Sequence, residues 1–317
     1  MAVQTENRFR TIAVIGGGFI GYSFGILFAR KGLDVRIYNR RSETYDTVLG
    51  RMRDEMAFLV AEGAMSPAVA ESALQRVTLT DDLAAAVEGA DYVQECLWED
   101  LALKQDIFRR LTDIAPIHVP IGSSCSGLRI SEIAAKVQNS PERCVVAHPT
   151  NPPHLIPFME ISGDRASPEI KSQVHAFFEG IGQRPILCRE VYGYVLNRLQ
   201  LSLVQEALYL VKEGICDVPA VERAITDGLG MRWAFTGPYG VEELNSADLA
   251  EGLRKYKDYM IQFFTEEQEK VTDYDEAFVR KAAEGFAPLM KGRSHEEYLK
   301  WRNRMLIGTA RLKQENP

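Results

Sequence analysis

The sequence predicts an α/β fold in which a Rossmann-type domain is followed by an all-helical C-terminal domain. Short apolar runs alternate with amphipathic stretches through the first half of the 317-residue chain, as in β-α-β units that feed a parallel sheet. After residue 189 the apolar patterns have helical periodicity instead. We therefore expect two domains, residues 1–190 and residues 191–317.

The first domain is predicted to begin with one β-α-β unit. Residues 11–15 are rich in β-branched side chains and predict a strand. Residues 19–30 predict a helix that ends at Gly32, and residues 35–38 predict the second strand. The elements that follow are helices over 45–61 and 68–74, a strand over 77–79, a helix over 84–87, a strand over 92–94, a helix over 101–114 and a strand over 117–121.

The second domain is predicted from helical patterns alone. These patterns cover residues 195–213, 220–228, 249–268, 275–290 and 295–312. No internal repeat and no linker rich in Ser, Gly or Pro separates the two halves of the sequence. We expect a packed hinge that a long helix enters directly.

Charge and composition exclude several classes of protein. The chain has 37 Lys and Arg against 44 Asp and Glu, a net charge of -7, which disfavours nucleic acid as a partner. No apolar run is long enough to cross a bilayer, and the first ten residues lack the apolar core of a signal peptide, so we expect a cytoplasmic protein without membrane contact. The five cysteines form no C-x-x-C pair, so we expect reduced, mostly buried thiols and no metal site.

A glycine motif follows the first predicted strand and opens the first predicted helix. Gly16, Gly18 and Gly21 fit the pattern G-x-G-x-x-G, with Phe19 and Ile20 between the last two glycines. In that setting the first glycine permits a tight turn, the second lets the backbone approach a pyrophosphate, and the third lets helix and strand pack closely. The motif predicts a dinucleotide site; a glycine turn that serves only packing is the alternative.

The end of the second strand bears on the choice of coenzyme. An Asp or Glu at that place binds the ribose 2'-hydroxyl of NAD, whereas this chain has Asn39, Arg40 and Arg41. A neutral amide beside two guanidinium groups suits a 2'-phosphate, so we favour NADP(H) over NAD(H). The alternative is that the arginines are solvated and Asn39 binds an unphosphorylated ribose.

Five histidines are available as a general base that titrates near neutral pH. Of these, His148 stands at the start of a proline-rich stretch that cannot continue a helix or a central strand. The stretch is therefore predicted to be a fixed loop at the end of a strand. Ligands bind at such loops in α/β sheets.

Several motifs together resemble the 3-hydroxyacyl-CoA dehydrogenase superfamily, and more closely its lambda-crystallin or L-gulonate 3-dehydrogenase branch. Besides the glycine motif, they are residues 94–101 (QECLWEDL), 123–126 (SSCS), 148–153 (HPTNPP), 193–200 (GYVLNRLQ), 228–238 (GLGMRWAFTGP) and Trp301-Arg302. The resemblance extends over nearly the whole chain. It implies a dehydrogenase that transfers a hydride between a nicotinamide coenzyme and a hydroxy acid, and a homodimer formed through the helical domain.

The resemblance also implies roles for particular residues. It matches His148 to the catalytic histidine, Glu160 to its partner carboxylate, and Ser126 and Asn197 to the residues that hold the substrate. Glu99 matches a glutamate near the nicotinamide. Structural roles are the alternatives: His148 capping its loop, Glu160 solvated on a strand, Ser126 in a turn while Ser123 or Ser124 acts, Asn197 bonding the domain junction, and Glu99 at a helix N-terminus.

The substrate is expected to be small. Between Glu43 and Arg76 three arginines stand against six carboxylates, a poor cradle for coenzyme A, whose phosphates are anionic. Arg232 matches an arginine of the lambda-crystallin branch and is predicted to pair with a substrate carboxylate, although a structural role is the alternative. A 3-hydroxy acid such as L-gulonate is favoured. Other possibilities are an L-3-hydroxyacyl-CoA, a carnitine-like substrate suited to the acidic pair Glu242 and Glu243, and a non-catalytic role as a crystallin or redox sensor.

Overall fold

The computed structural model describes residues 9–315, apart from residues 247, 267–274, 276, 278–279, 282–283, 286–287 and 289–290. The chain divides into two units, Met1–Arg198 and Leu199–Pro317. The domain boundary expected near residue 190 stays a prediction. No helix in the described part of the chain has both the length and the apolar character needed to cross a bilayer.

The first unit is built on one sheet of eight strands in the order β3-β2-β1-β4-β5-β6-β7-β8. The strands are β1 Thr11–Ile15, β2 Asp34–Tyr38, β3 Val77–Thr80, β4 Tyr92–Glu95, β5 Ile121–Ser123, β6 Cys144–Pro149, β7 Phe158–Ser162 and β8 Arg184–Leu187. Neighbours pair in parallel except β6 and β7, which are antiparallel. The predicted α/β class is confirmed.

Helices connect these strands. They are α1 Phe19–Ala29, α2 Tyr45–Ala61, α3 Pro67–Gln75, α4 Leu83–Val87, α5 Leu101–Ile114, α6 Ile130–Ile133 and α7 Pro168–Gly180, and α8 Leu196–Lys212 follows the sheet. Ser66, Asp82, Asp100 and Ser167 cap α3, α4, α5 and α7 with side-chain oxygens that accept backbone N–H groups. The residue that precedes each of these four helices thus specifies where the helix begins.

The strand predicted over residues 117–121 is wrong. Ile117 is 72% exposed, and the segment before Ile121 forms a turn in which the Val119 N–H donates to the Pro116 carbonyl at 3.0 Å. Pro116 and Pro120 have no N–H to donate to a ladder, so β5 begins only at Ile121. His118, which the sequence places in an apolar strand, is therefore an exposed turn residue.

All the secondary-structure elements described in the second unit are helices. Its helices beyond α8 are α9 Val218–Arg223, α10 Gly230–Trp233, α11 Pro238–Leu244, α12 Leu249–Lys255, α13 Lys257–Glu266 and a last helix, His295–Glu315. A π-helical turn, Ala224–Leu229, joins α9 to α10. The single helix predicted over 249–268 is thus divided at Tyr256. Most of the helix predicted over 275–290 lies outside the described residues.

The strand order fixes where a ligand can bind. Because β1 lies between β2 and β4, the connections from β1 and from β4 leave toward opposite faces of the sheet and open a crevice at the carboxyl ends of these two strands. Residues 16–18 follow β1, and residues 96–100 follow β4. The two segments touch, since a Cβ atom added to Gly16 would lie 2.9 Å from the Cys96 carbonyl oxygen.

Candidate active site

The glycine turn leaves its backbone open toward the crevice. Gly16 has φ +116°, which disfavours any side chain, and a Cβ atom on Gly21 would lie 1.8 Å from the Gly16 carbonyl oxygen. A Cβ atom on Gly18, by contrast, would meet no atom within 4 Å. Gly18 caps α1 without any side-chain hydrogen bond, so no capping side chain uses the N–H groups at the start of α1. This cradle fits a pyrophosphate.

Phe19 and Ile20 form the first turn of α1 beside this cradle. Phe19 is 41% exposed, and Ile20 is half-buried. Both therefore stand at the position that the glycine motif predicts for coenzyme contacts.

Asn39 lies at the carboxyl end of β2, next to the glycine turn. Its Cγ atom would be 3.4 Å from a Cβ atom added to Gly17. The Asn39 Nδ2 donates to Thr44 Oγ1 at 2.6 Å, and this bond fixes the orientation of the Asn39 side-chain amide. Arg40 and Arg41 follow it and are exposed. An amide and two guanidinium groups, rather than a carboxylate, thus border the place where the coenzyme ribose is expected.

His148 and Glu160 lie opposite each other on β6 and β7. The antiparallel register pairs the two residues directly, and His148 Nδ1 is 2.7 Å from Glu160 Oε2. Both side chains are buried, Glu160 completely. A carboxylate at Nδ1 favours the tautomer in which Nδ1–H donates and Nε2 carries the lone pair. The imidazole is therefore arranged to accept a proton at Nε2.

The second oxygen of Glu160 holds the chain where α8 begins. Glu160 Oε1 accepts the backbone N–H groups of Val195 at 2.8 Å and Leu196 at 2.7 Å. These are N–H groups that a helix start leaves without an intrahelical partner. Both carboxylate oxygens are thus bonded, and the alternative of a solvated Glu160 does not hold in this structure.

Ser126 lies in a loop that Glu99 organises. Glu99 Oε2 accepts the Ser126 hydroxyl at 2.8 Å, and Glu99 Oε1 accepts the Gly127 N–H at 2.6 Å and the Leu128 N–H at 3.3 Å. Burial raises the pKa of Glu99, but hydrogen bonds from Ser126, Cys125 and Gly127 outweigh it and hold the pKa below its usual value. Glu99 is therefore ionised at neutral pH.

Asn197 joins the same loop from the first turn of α8. Its Nδ2 donates to the Ser126 carbonyl oxygen at 3.0 Å. The other two serines of the motif are bonded toward β4: the Ser123 hydroxyl donates to Glu95 at 2.6 Å, and Ser124 Oγ accepts from Gln94 at 2.7 Å. Of the three serines, Ser126 is the one that Glu99 and Asn197 together hold in place.

A buried ion pair under this loop was not expected from the sequence. Lys104 Nζ lies 2.7 Å from Glu95 Oε1, with side chains 1% and 0% exposed. Glu95 also accepts the Leu97 N–H at 2.7 Å. The sequence does contain an indication of this ion pair, because Lys104 lies on the apolar face of α5 that carries Ile107, Phe108 and Leu111. A lysine on such a face needs a buried partner.

The remaining predicted residues lie elsewhere. His154, in the loop between β6 and β7, is buried, and its Nε2 lies 3.0 Å from Glu55 Oε1 of α2. Arg232 lies on α10 in the second unit and is exposed, and its predicted contact with a substrate carboxylate stays a prediction. Among the described residues, no group of three or more His, Cys, Asp or Glu side chains could hold a metal ion.

A glycine cradle at the switch point of a mostly parallel sheet, together with a buried histidine–carboxylate pair on β6 and β7, is typical of a nicotinamide-dependent oxidoreductase. The family comparison agrees. Residues 11–191 match the model of the 3-hydroxyacyl-CoA dehydrogenase NAD binding domain, and residues 193–287 match that of the 3-hydroxyacyl-CoA dehydrogenase C-terminal domain. The chain belongs to the 3-hydroxyacyl-CoA dehydrogenase family.

Named relatives cover nearly the whole chain. The chain is similar to the lambda-crystallin homolog of Homo sapiens, with 34% identity over 96% of each chain. It is also similar to the L-carnitine dehydrogenase of Pseudomonas aeruginosa, with 32% identity over 97% of this chain and 94% of that one. Among solved structures, 5-formyl-3-hydroxy-2-methylpyridine 4-carboxylic acid 5-dehydrogenase, an NAD+ dependent dismutase, aligns with a TM-score of 0.80 and 26% identity over 96% of this chain and 98% of that one.

Proposed function

We propose that this protein is an NAD(P)-dependent dehydrogenase that interconverts a small 3-hydroxy acid and its 3-oxo form. The observation that carries the proposal is the 2.7 Å contact between His148 Nδ1 and Glu160 on adjacent strands. A neutral imidazole anchored in this way is a suitable acceptor for the proton of a secondary alcohol.

Each residue of the site then has a separate role in this reaction. The glycine turn would hold a nicotinamide dinucleotide, which would supply the acceptor for the hydride of the carbinol carbon. His148 Nε2 takes the hydroxyl proton, and Glu160 stabilises the imidazolium that forms. On substrate binding the Ser126 hydroxyl would turn from Glu99 and donate to the substrate oxygen, as would the second Nδ2 hydrogen of Asn197. Glu99 would keep the loop in place through the N–H groups of Gly127 and Leu128. In the reverse direction the imidazolium returns its proton to the 3-oxo group.

Two features support a small substrate. The stretch between Glu43 and Arg76, which folds mainly as α2 and α3, has six carboxylates against three arginines, and Glu55 of α2 contacts the loop after His148. This excess of negative charge would repel the phosphates of coenzyme A. The named substrates of two relatives, carnitine and a pyridine carboxylic acid, are also small. L-gulonate is our first choice, followed by a carnitine-like hydroxy acid and an L-3-hydroxyacyl-CoA.

The carnitine alternative depends on the acidic pair Glu242 and Glu243. Both lie on α11, and Glu243 accepts the Leu249 N–H at 2.5 Å, which ties it to the start of α12. Glu243 therefore has a structural use in addition to any contact with a cationic substrate.

We propose NADP(H) as the coenzyme, with NAD(H) as the alternative. The absence of a carboxylate at Asn39 and the exposed Arg40 and Arg41 support a 2'-phosphate. The Thr44 contact uses one of the two Nδ2 hydrogens and orients the amide, and the Asn39 carbonyl oxygen can accept from a ribose hydroxyl, as the alternative requires. The ratio of kcat/KM for the two coenzymes decides between them.

A panel assay tests the function. Absorbance of the reduced nicotinamide is followed with L-gulonate, L-3-hydroxybutyrate, L-carnitine and L-3-hydroxybutyryl-CoA, each with NAD+ and with NADP+. We expect turnover of a free hydroxy acid. Rapid turnover of the thioester alone would make the acyl-CoA dehydrogenase the correct assignment. Tight coenzyme binding without any turnover would favour a redox sensor or a crystallin role.

We also propose a homodimer in the cytoplasm. Large apolar side chains of the second unit are exposed, among them Leu199, Leu201, Met231, Phe235 and Leu244. A second copy of the chain is the partner that would cover them. Light scattering coupled to gel filtration measures the mass in solution, and a monomer at micromolar concentration would exclude the dimer.

A further inference from the structure

Tyr194 lies where the chain leaves the sheet and approaches α8. Its φ is +48°, in the left-handed region that side chains other than glycine rarely adopt, and it follows Gly193 at φ +75°. The side chain is 0% exposed. A bulky residue keeps this conformation only where its surroundings hold it, and such residues concentrate at functional sites.

The Tyr194 side chain connects two parts of the active site. Its hydroxyl donates to the Leu128 carbonyl oxygen at 2.8 Å, in the loop that carries Ser126. Its ring lies beside the His148 ring, with centroids 6.1 Å apart and planes at 39°. Burial raises the pKa of the phenol, so the hydroxyl stays protonated and keeps donating to Leu128.

The three residues after Tyr194 contact the same groups through other atoms. The N–H groups of Val195 and Leu196 donate to Glu160, and the Asn197 side chain donates to the Ser126 carbonyl oxygen. A left-handed residue at position 194 turns the aromatic ring inward while the following N–H groups point at Glu160. One four-residue segment therefore contacts the histidine, its carboxylate and the serine loop.

We propose that Tyr194 is a positioning residue, which sets the distance between the Ser126 loop and the His148 imidazole through its hydroxyl and its ring. The proposal rests on the proposed function. His148 and Ser126 must reach the same substrate oxygen while the hydroxyl proton moves to Nε2, and small errors of alignment slow such a step steeply. Tyr194 itself exchanges no proton, because its hydroxyl is committed to Leu128.

The substitution Tyr194→Phe tests this with the loss of one hydroxyl group. We expect kcat to fall about 5- to 50-fold while the coenzyme Kd stays unchanged. The deuterium isotope effect on kcat, measured with substrate labelled at the carbinol carbon, should rise, because the chemical step then limits the rate more strongly. A residue needed only for folding would lower Tm without moving this isotope effect.

Tyr92→Phe is the matched control. Tyr92 is also fully buried, and its hydroxyl donates a single side-chain hydrogen bond, to Gln94 Oε1 at 2.6 Å on β4. We expect this variant to keep the wild-type kcat and isotope effect at a comparable loss of Tm. If Tyr194→Phe matches Tyr92→Phe in both kinetic quantities, the proposal is overturned.

A measurement without turnover separates this inference from the proposed function. The proton that His148 shares with Glu160 should give a downfield imidazole N–H signal in the NMR spectrum, assigned by its loss in His148→Asn. The signal should shift or broaden in Tyr194→Phe and stay in place in Tyr92→Phe. If the wild type oxidises no substrate in the panel, the proposed function fails, and an unchanged signal in Tyr194→Phe then refutes the positioning role by itself.

Discussion

Two histidines of one hairpin pair with carboxylates, but the two carboxylates differ in their exposure to solvent. His148 bonds a completely buried glutamate on the next strand, whereas His154 bonds Glu55, whose side chain is 21% exposed on α2. The Glu160 carboxylate is fixed through both of its oxygens, one bonded to His148 on the sheet and the other to the start of α8. The environment of His148 is the one arranged to move a proton.

His148→Asn is therefore expected to lower kcat by about 10²- to 10⁴-fold, because the proton acceptor is lost, while the coenzyme Kd stays unchanged. Steady-state kinetics and coenzyme titration measure the two quantities. His154→Asn is the control, since it removes a buried imidazole from the same hairpin. A near-normal rate for His148→Asn would remove this residue from the mechanism.

Asn39→Asp tests the coenzyme proposal. A carboxylate at the end of β2 would repel a 2'-phosphate, so kcat/KM with NADP+ should fall by about tenfold or more, while kcat/KM with NAD+ changes little or rises. Asp34→Asn, an exposed change at the opposite end of β2, controls for the general effect of charge. Equal effects on the two coenzymes would contradict a 2'-phosphate contact at Asn39.

At the scale of elements, the Glu95–Lys104 pair joins β4 to α5 under the Ser126 loop. Lys104→Met leaves the buried Glu95 side chain without its cationic partner, which should lower the free energy of unfolding by about 3–5 kcal/mol. Urea unfolding measures the change. The double variant Glu95→Gln/Lys104→Met should recover much of the loss, because neither buried charge remains.

A loss below about 1 kcal/mol for Lys104→Met would show that the pair is exposed to water in solution, against the burial seen here. Lys300→Met provides the comparison. Lys300 forms an exposed pair with Glu296 on the last helix, and such pairs contribute little to stability.

Local patterns predicted some elements better than others. The β1-α1-β2 unit and the glycine turn follow from residues adjacent in sequence, and the structure has them where the periodicity predicts. The strand over 117–121 failed, because two prolines, which cannot donate to a sheet, outweigh an apolar run. The choice among three serines and the partner of Lys104 depend on contacts between distant segments, which periodicity does not encode.

At the scale of the molecule, all five cysteines are free, but only two of them are buried and three are half-buried, fewer than the mostly buried set that the sequence predicts. Burial raises the pKa of Cys125 and of Cys144 to about 12, above the value of about 8.5 for an exposed thiol. The folded protein thus keeps thiol protons that the unfolded chain loses in alkali. The two buried thiols make their full contribution to the free energy of unfolding below about pH 8.5. This contribution is lost as the pH rises toward 12.

The free energy of unfolding should therefore decline between about pH 8.5 and 10, by up to about 1.4 kcal/mol per pH unit for each buried thiol. Urea titrations across this range measure the slope. Cys144→Ala should make the slope shallower, whereas Cys216→Ala, which removes a half-buried cysteine, should leave it unchanged. The same slope for both variants would refute this account of the alkaline limit.

The antiparallel pairing of β6 with β7 places the two residues proposed for proton transfer on the strands and not in the loop that joins them. Buried side chains along both strands specify the register that pairs His148 with Glu160, so a change of loop length that preserves this register keeps the two residues aligned. During evolution, insertions and deletions at residues 150–157 could therefore reshape the neighbourhood of the reacting alcohol and leave proton transfer intact. Divergence among descendants of this architecture should concentrate in that loop, while the two strands that flank it keep their lengths.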